Sequence, residues 1–445
     1  MDPATTERRP GAHRAPKQKA HWPTRIAVMV AGIGVVVVAM VVLASRGGTS
    51  LPIPLPIPGL AAPAEAAPDR ALPWGPMTSE LARAQAMVRT WSPSRLAGQV
   101  IVGRYHGTDP EGAAEMVKQL HLAGLSLQSE NVTDADQVRE MTGAIRDAVQ
   151  ADDRAFPPVI TVDQEGGTVA HLVGIATTFP AYADAGAAIE ADREAGRKTV
   201  REAAEAAGLE LRSLGFTWVN APDADVTSDV DTIIRSRAAS DDPEIAARAI
   251  RASVKGYRDA GVVSTLKHFV GHGSVATDSH EEMPVLDKSL AELRGDDLLP
   301  FRAGVDAGAT AVMMSHIAID AVDPGVPASL SSKDYDLLAR ETGFDGLVIT
   351  DSLGMGAVIG RTAPGVQAIN AGADLLLMPA DTELAHATLT QAIKDGDVPR
   401  ARILDAAATV VAMQLWQARV AAQVPVPDDV TERAEMASAR LDEAG

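Results

Sequence analysis

Lys267-His268-Phe269-Val270-Gly271-His272-Gly273-Ser274-Val275-Ala276-Thr277-Asp278-Ser279-His280 gathers a cation, three histidines and a carboxylate into fourteen residues. It begins at the end of the apolar run Val262, Val263, Leu266 and then loses all periodicity, the profile of a strand that opens into an active-site loop. Asp278 and His280 stand at i and i+2. On extended backbone their side chains share one side, where a carboxylate can hold an imidazole in one tautomer and favour its protonated form. An imidazole oriented this way is a good proton shuttle near neutral pH. His268 and His272 have the spacing of a helical metal pair, but Gly271 and Gly273 flank the second histidine and oppose a helix, so no metal is expected.

Two further apolar runs end in acids. One is Leu347-Val348-Ile349-Thr350-Asp351-Ser352, and the other is Val159-Ile160-Thr161-Val162-Asp163-Gln164-Glu165. A buried parallel strand reads this way when it delivers a carboxylate at its C-terminal end. One such acid is ordinarily a turn residue or helix cap; three polar clusters, each closing a separate strand, are harder to explain as caps. Apolar strand candidates lie at 100–105, 122–127, 159–162, 216–219, 262–267, 310–315, 347–350 and 375–378, with helical stretches such as 183–214 and 243–260 between them. This alternation predicts an α/β domain, a single (β/α)8 TIM-type barrel over residues 80–422, with a doubly wound sheet as the rival architecture.

Composition narrows the function classes. The 445 residues are 46% hydrophobic and carry 40 basic against 59 acidic side chains, a net charge of -19 that disfavours nucleic acid as a partner. Cysteine is absent, which excludes a disulfide framework, a thiol nucleophile and a lipid-modified cysteine. Aromatics make up only 3%, favouring a small pocket read by hydrogen bonds over a long groove floored by stacking rings. Residues 1–25 read as a disordered basic cytoplasmic tail. Residues 26–44 carry no charge, and as a helix they would be about 28 Å long, which predicts one transmembrane helix. A cleaved signal segment ending at Val42-Leu43-Ala44 is the alternative. The basic flank inside puts the domain outside the cell membrane, or secreted if the segment is cleaved. Residues 45–79, with Pro52, Pro54, Pro56, Pro58, Pro63, Pro68 and Pro73, are expected to form an extended linker. Residues 423–445 are expected to form a solvated acidic tail.

The motifs together resemble glycoside hydrolase family 3 in its β-N-acetylglucosaminidase (β-N-acetylhexosaminidase) branch. The likeness rests on Lys267-His268-Phe269, Gly271-His272-Gly273 and Asp278-Ser279-His280, then on Thr350-Asp351-Ser352-Leu353 with Met355. Asp163 to Gly167, Asn220-Ala221-Pro222 with Asp225, Met314-Ser315-His316-Ile317, Asp323-Pro324 and Pro327 to Ser331 extend it over residues 80 to 420. The resemblance implies a retaining exo-β-N-acetylglucosaminidase that removes terminal β-linked N-acetylhexosamine from peptidoglycan-derived fragments such as muropeptides, without a cofactor. It implies Asp351 as nucleophile, His280 as acid/base and Asp278 as its orienting partner. Asp163, Arg237, Lys267, His268 and His316 are implied to bind the sugar. The stretch after the eighth strand is short for a second α/β domain, so the acid/base is expected from the barrel itself.

The chain departs from the family pattern at Thr168 and His171, where arginines are usual, and at Val270, where proline is usual. It departs again at Ala238-Ala239-Ser240, where serine, phenylalanine and glycine are usual. Two other readings stay open. One is a phosphorylase, since a histidine acid/base need not repel a phosphate dianion. The other is a catalytically weak, tethered glycan-binding protein, which the missing arginines would suit. A Schiff base at Lys267 would leave Asp278, His280 and Asp351 without a role.

Overall fold

Eight short parallel strands organise the chain in the computed structural model, which describes residues 68–445. They are β1 Ile101–Arg104, β2 Gly124–Ser126, β3 Val159–Thr161, β4 Trp218–Val219, β5 Val263–Phe269, β6 Ala311–Met314, β7 Leu347–Thr350 and β8 Leu376–Leu377. All eight coincide with the predicted apolar runs, because strands buried on both faces carry no polar alternation. β5 shows this most fully, with all seven of its residues buried. The strands pair in the orders β8-β1-β2-β3 and β7-β6-β5-β4, with registers such as Val102 beside Gly124 and Val348 beside Val312.

Backbone hydrogen bonds cross both seams between these sheets. Thr217 and Asn220 N–H donate to Ile160 and Val162 O, each at 3.0 Å; Thr350 and Leu353 N–H donate to Leu375 and Leu377 O at 3.0 and 2.9 Å. The result is a TIM-barrel-like α/β fold. Its consequence for function is directional, since every strand presents its C-terminal end to the same face.

The helices outside follow local rules. Helix Pro243–Ala260 starts with proline at its first turn and with the Asp242 carboxylate accepting from Glu244 and Ile245 N–H. It stops at Gly261, whose φ of 72° is left-handed. The stretch 183–214, expected to be helical throughout, is two helices, Tyr182–Ala191 and Arg193–Ser213. Asp192 leaves helical geometry between them and caps the second by accepting from Glu194 and Ala195 N–H.

Both expected domain edges need correction. The folded chain begins before residue 80, since Trp74 is only 4% exposed and Asp69 accepts from Ser79 N–H at 2.9 Å and from the Ser79 hydroxyl at 2.7 Å. Residues 423–445 are not a solvated tail. Helix Val430–Ala444 buries Val430, Ala434, Ala437 and Leu441 along one stripe and leaves its acids on the outer face. The predicted basic tail (1–25), transmembrane segment (26–44) and most of the linker lie outside the described residues. Among the described residues no helix is long and apolar enough to cross a membrane.

Candidate active site

A cavity of about 520 Å³ opens at the C-terminal ends of the strands, and Asp163, Arg237, Lys267, His268, His280 and Asp351 all line it. Six of the eight predicted site residues therefore converge. Asp278 stands behind His280, and His316 does not reach the wall.

Asp351 directly follows β7 and is 9% exposed. Its Oδ1 accepts from Ser352 N–H at 2.7 Å, and its own N–H donates to Met314 O at 2.9 Å. Burial alone would raise this carboxyl, but the His268 and His316 rings, the Ser352 N–H and the Lys267 ammonium reverse the effect and bring it down to about 2. At neutral pH it is an ionised, largely dehydrated carboxylate, able to act as an oxygen nucleophile.

His280 lies on the loop after β5. Asp278 Oδ1 is 2.9 Å from His280 N and 2.7 Å from its Nδ1. A carboxylate only accepts, so Nδ1 carries a proton and Nε2 is free for substrate. The pair closes over a turn and not along extended backbone: Glu281 and Glu282 N–H both donate to Asp278 O, at 3.0 and 3.1 Å. Burial would raise Asp278, whereas its two bonds to His280 hold it below the usual carboxylate value. Ser279, between the two, is fully buried, with Oγ 2.9 Å from His272 Nε2. Gly356 N–H donates to His280 O at 2.9 Å and Ala357 N–H to Ser279 O at 3.2 Å. The loop bearing His280 is thus tied to the turn that follows Asp351.

The cations lie deeper. Lys267, 2% exposed, donates to Asp163 Oδ1 at 2.7 Å and stands 2.5 Å from Glu165 Oε1. Burial alone would lower its ammonium; Asp163 and Glu165 more than reverse this and hold it above its ordinary value. It is therefore charged, unlike the neutral amine from which a Schiff base starts. Arg237 grips Glu165 through Nε at 2.8 Å and Nη2 at 2.9 Å. His268 Nδ1 is 2.8 Å from Asp225 Oδ2, burial pushes its ring towards the neutral form, and its Nε2 lone pair faces Arg237 Nη2 at 3.5 Å. Asp223, Asp225 and His268 bring ligand atoms within 4.8 Å of one another, the grouping among the described residues that could hold a cation. Arg237 Nη2 is already 3.6 Å from Asp223 and His268 engages Asp225, so these residues form an ion-pair network.

His316 requires a correction. It is wholly buried; Nε2–H donates to Ser352 O at 2.9 Å, and Nδ1 accepts from the Ser329 hydroxyl at 2.7 Å. It braces Ser352, the neighbour of Asp351, and has no nitrogen left for sugar. Glu165, in contrast, stands in sequence only as part of the Asp163 to Gly167 motif, and its convergence on two cations has no local signal. Of the departures from the family pattern, Thr168 and His171 line the cavity, with His171 Nδ1 accepting from Ser129 N–H at 3.3 Å. Val270 is fully buried away from it.

The family model of the glycosyl hydrolase family 3 N-terminal domain matches residues 95–413. A β-hexosaminidase of Stenotrophomonas maltophilia (strain R551-3) is 36% identical over 263 residues, covering 58% of this chain and 76% of that protein. Among solved structures, a family 3 β-N-acetylglucosaminidase from Paenibacillus sp. FPU-7 superposes with a TM-score of 0.72 at 30% identity, over 80% of this chain and 69% of that one. A β-N-acetylhexosaminidase from Beutenbergia cavernae gives 0.65 at 27% identity, over 73% and 98%. The chain belongs to glycosyl hydrolase family 3 and is a glycoside hydrolase.

Proposed function

We propose that the protein is a retaining exo-β-N-acetylglucosaminidase that removes terminal β-linked N-acetylhexosamine from peptidoglycan-derived fragments. The observation that carries this reading is the pairing, in one cavity, of a buried ionised Asp351 with a His280 oriented by Asp278. In the first step an Asp351 oxygen bonds to the anomeric carbon as the glycosidic bond breaks, and protonated His280 gives its Nε2 proton to the departing oxygen. In the second, neutral His280 takes a proton from water, the water oxygen bonds to the anomeric carbon, and Asp351 leaves as a carboxylate. Asp278, bonded to Nδ1–H, keeps Nε2 directed at the reacting oxygens in both steps.

Lys267, Arg237, His268 and Asp163 bind the hydroxyls of the terminal ring. The names of the relatives support N-acetylhexosamine as that ring. The uncharged segment 26–44 behind a basic flank supports a membrane-tethered enzyme outside the cytoplasm, where peptidoglycan fragments occur. The test uses residues 68–445 with nitrophenyl N-acetyl-β-glucosaminide and with muropeptides, following the first-formed anomer by NMR. Release of the β-anomer of N-acetylglucosamine is expected, and release of the α-anomer overturns the retaining mechanism. Sugar 1-phosphate in phosphate buffer would make the protein a phosphorylase, and binding without turnover would make it a glycan receptor.

A further inference from the structure

Glu165 has no part in the reaction above, yet two cations of the cavity converge on it. Its side chain is 3% exposed and accepts the Lys267 ammonium on one side and the Arg237 guanidinium on the other. It is carried on the short strand Gln164–Gly166 just after β3. Gly166 then turns the chain with φ +101°, where a Cβ would stand 2.3 Å from Pro180 O. A substitution at that glycine is therefore strained twice, by its backbone angle and by the close backbone neighbour.

The contacts use up a definite share of each cation's donors. An ammonium has three hydrogens and a guanidinium five. Lys267 directs one to Asp163 and one to Glu165, leaving one. Arg237 directs Nε and one Nη2 hydrogen to Glu165, its other Nη2 hydrogen faces His268 Nε2 at 3.5 Å, and its Nη1 bonds nothing among the described residues. Without a carboxylate between them the two cations would repel each other in a poorly hydrated space. With it, both are held against one anchor and their unused hydrogens keep fixed directions.

We propose that Glu165 is a positioning residue: as shared counter-ion it aims the remaining Lys267 and Arg237 hydrogens at hydroxyls of the bound sugar, and so sets how strongly the enzyme depends on those hydroxyls. This rests on the glycosidase reading above. Glu165 acts through the two cations, which hold both of its oxygens.

The experiment compares the full-length wild type with Glu165→Gln and Glu165→Asp. The substrates are nitrophenyl N-acetyl-β-glucosaminide and its analogues lacking the hydroxyl at C3, C4 or C6. The readout is kcat/KM for the parent divided by that for each analogue. This ratio does not depend on how much of a variant is folded, so a merely structural role leaves it unchanged. A hydrogen bond from a charged donor predicts a wild-type ratio of about tenfold to a hundredfold for each hydroxyl so bound. In Glu165→Gln these ratios are expected to collapse to within about threefold of unity. Glu165→Asp keeps the charge but is too short to span both cations, so one ratio collapses and another survives; it decides the matter if the glutamine variant fails to fold. Ratios equal to wild type in the variants overturn the role of Glu165 alone. Absence of turnover in the wild type overturns the glycosidase reading and this inference with it.

Discussion

Replacing His316 by leucine separates a sugar contact from a brace behind the nucleophile. The ring is wholly buried, with one nitrogen on Ser352 O and the other on the Ser329 hydroxyl. Leucine approximates its volume and removes both bonds, leaving the Ser329 hydroxyl buried without this partner and Ser352 O with the Met355 N–H alone, at 3.1 Å. An orphaned hydroxyl costs about 1–3 kcal/mol and the carbonyl keeps one donor, so the loss should be about 2 kcal/mol. Against a domain stability of about 5–15 kcal/mol the variant still folds. Ser352, the residue that loses the brace on its carbonyl, holds Asp351 Oδ1 through its own N–H at 2.7 Å. A carboxylate displaced by about 1 Å loses on the order of a hundredfold in rate, so kcat should fall about tenfold to a hundredfold. KM should stay within about threefold, because no sugar contact is removed. Urea denaturation followed by circular dichroism, beside steady-state kinetics on nitrophenyl N-acetyl-β-glucosaminide, measures all three. A variant with wild-type stability and kcat but a KM raised about tenfold would refute the brace and restore the sugar contact expected from sequence.

The other predictions concern the acid/base loop, the edge of the domain and one buried acid. His280→Ala should slow attack on the glycosyl-enzyme most, and azide, a nucleophile that needs no base, should restore that step as glycosyl azide; no rescue would remove His280 as the base. Gly356→Ala would place a methyl 2.3 Å from Glu281 O and 2.5 Å from His280 O, so the loop must shift; kcat should fall about tenfold with KM little changed, and a wild-type kcat would show that the loop is not set by this contact. Leu441→Ala should cost about 2–3 kcal/mol in urea denaturation, with kcat per folded molecule unaltered; no loss of stability would mean that the C-terminal helix is not docked. Asp334 is buried with both oxygens unpartnered, and burial with the Asp323 charge pushes it up from 3.8 to about 7 despite Ser331. A carboxyl raised on folding contributes stability that is full below about pH 4 and lost as pH rises through 7, at most about 4 kcal/mol. Asp334→Asn should therefore gain on the wild type between pH 5 and pH 8 in denaturant midpoints, and a pH-independent difference would count against the burial argument.

The eight strands were legible because a strand buried on both faces is a continuous apolar run, and short runs closed by polar residues recur along the chain. The C-terminal helix was legible in principle. Val430, Ala434, Ala437 and Leu441 fall on one helical stripe, but the acidic composition outweighed a periodicity carried partly by alanine. In the site, Asp351, Lys267, His268 and His280 could be read because each stands at or beyond a strand end, where direction follows from topology. His316 also stands at a strand end. Whether its ring faces cavity or core depends on Ser329 and Ser352, thirteen and thirty-six residues away. Glu165 was hidden for the same reason, since Arg237 lies 72 residues further on. Asp278 and His280 form the expected pair for a different geometric reason, an Asp side chain accepting across a turn.

The two halves of the site differ in how water reaches them, and the proposed chemistry requires that difference. The side chains of Lys267 and Glu165 are 2% and 3% exposed, whereas that of His280 is 65% exposed. A nucleophile that must stay ionised and a floor that must read hydroxyls benefit from fixed charges in place of mobile water. An acid/base has the opposite need, because it gives its proton to a leaving group and takes the next from water. It can be wet only if something else fixes its distance from the nucleophile. Here backbone does so, through Gly356 N–H on His280 O and Ala357 N–H on Ser279 O, at a point where only glycine lets the two chains approach. The imidazole thus remains free to exchange protons while the loop beneath it is held to the same turn that carries Asp351.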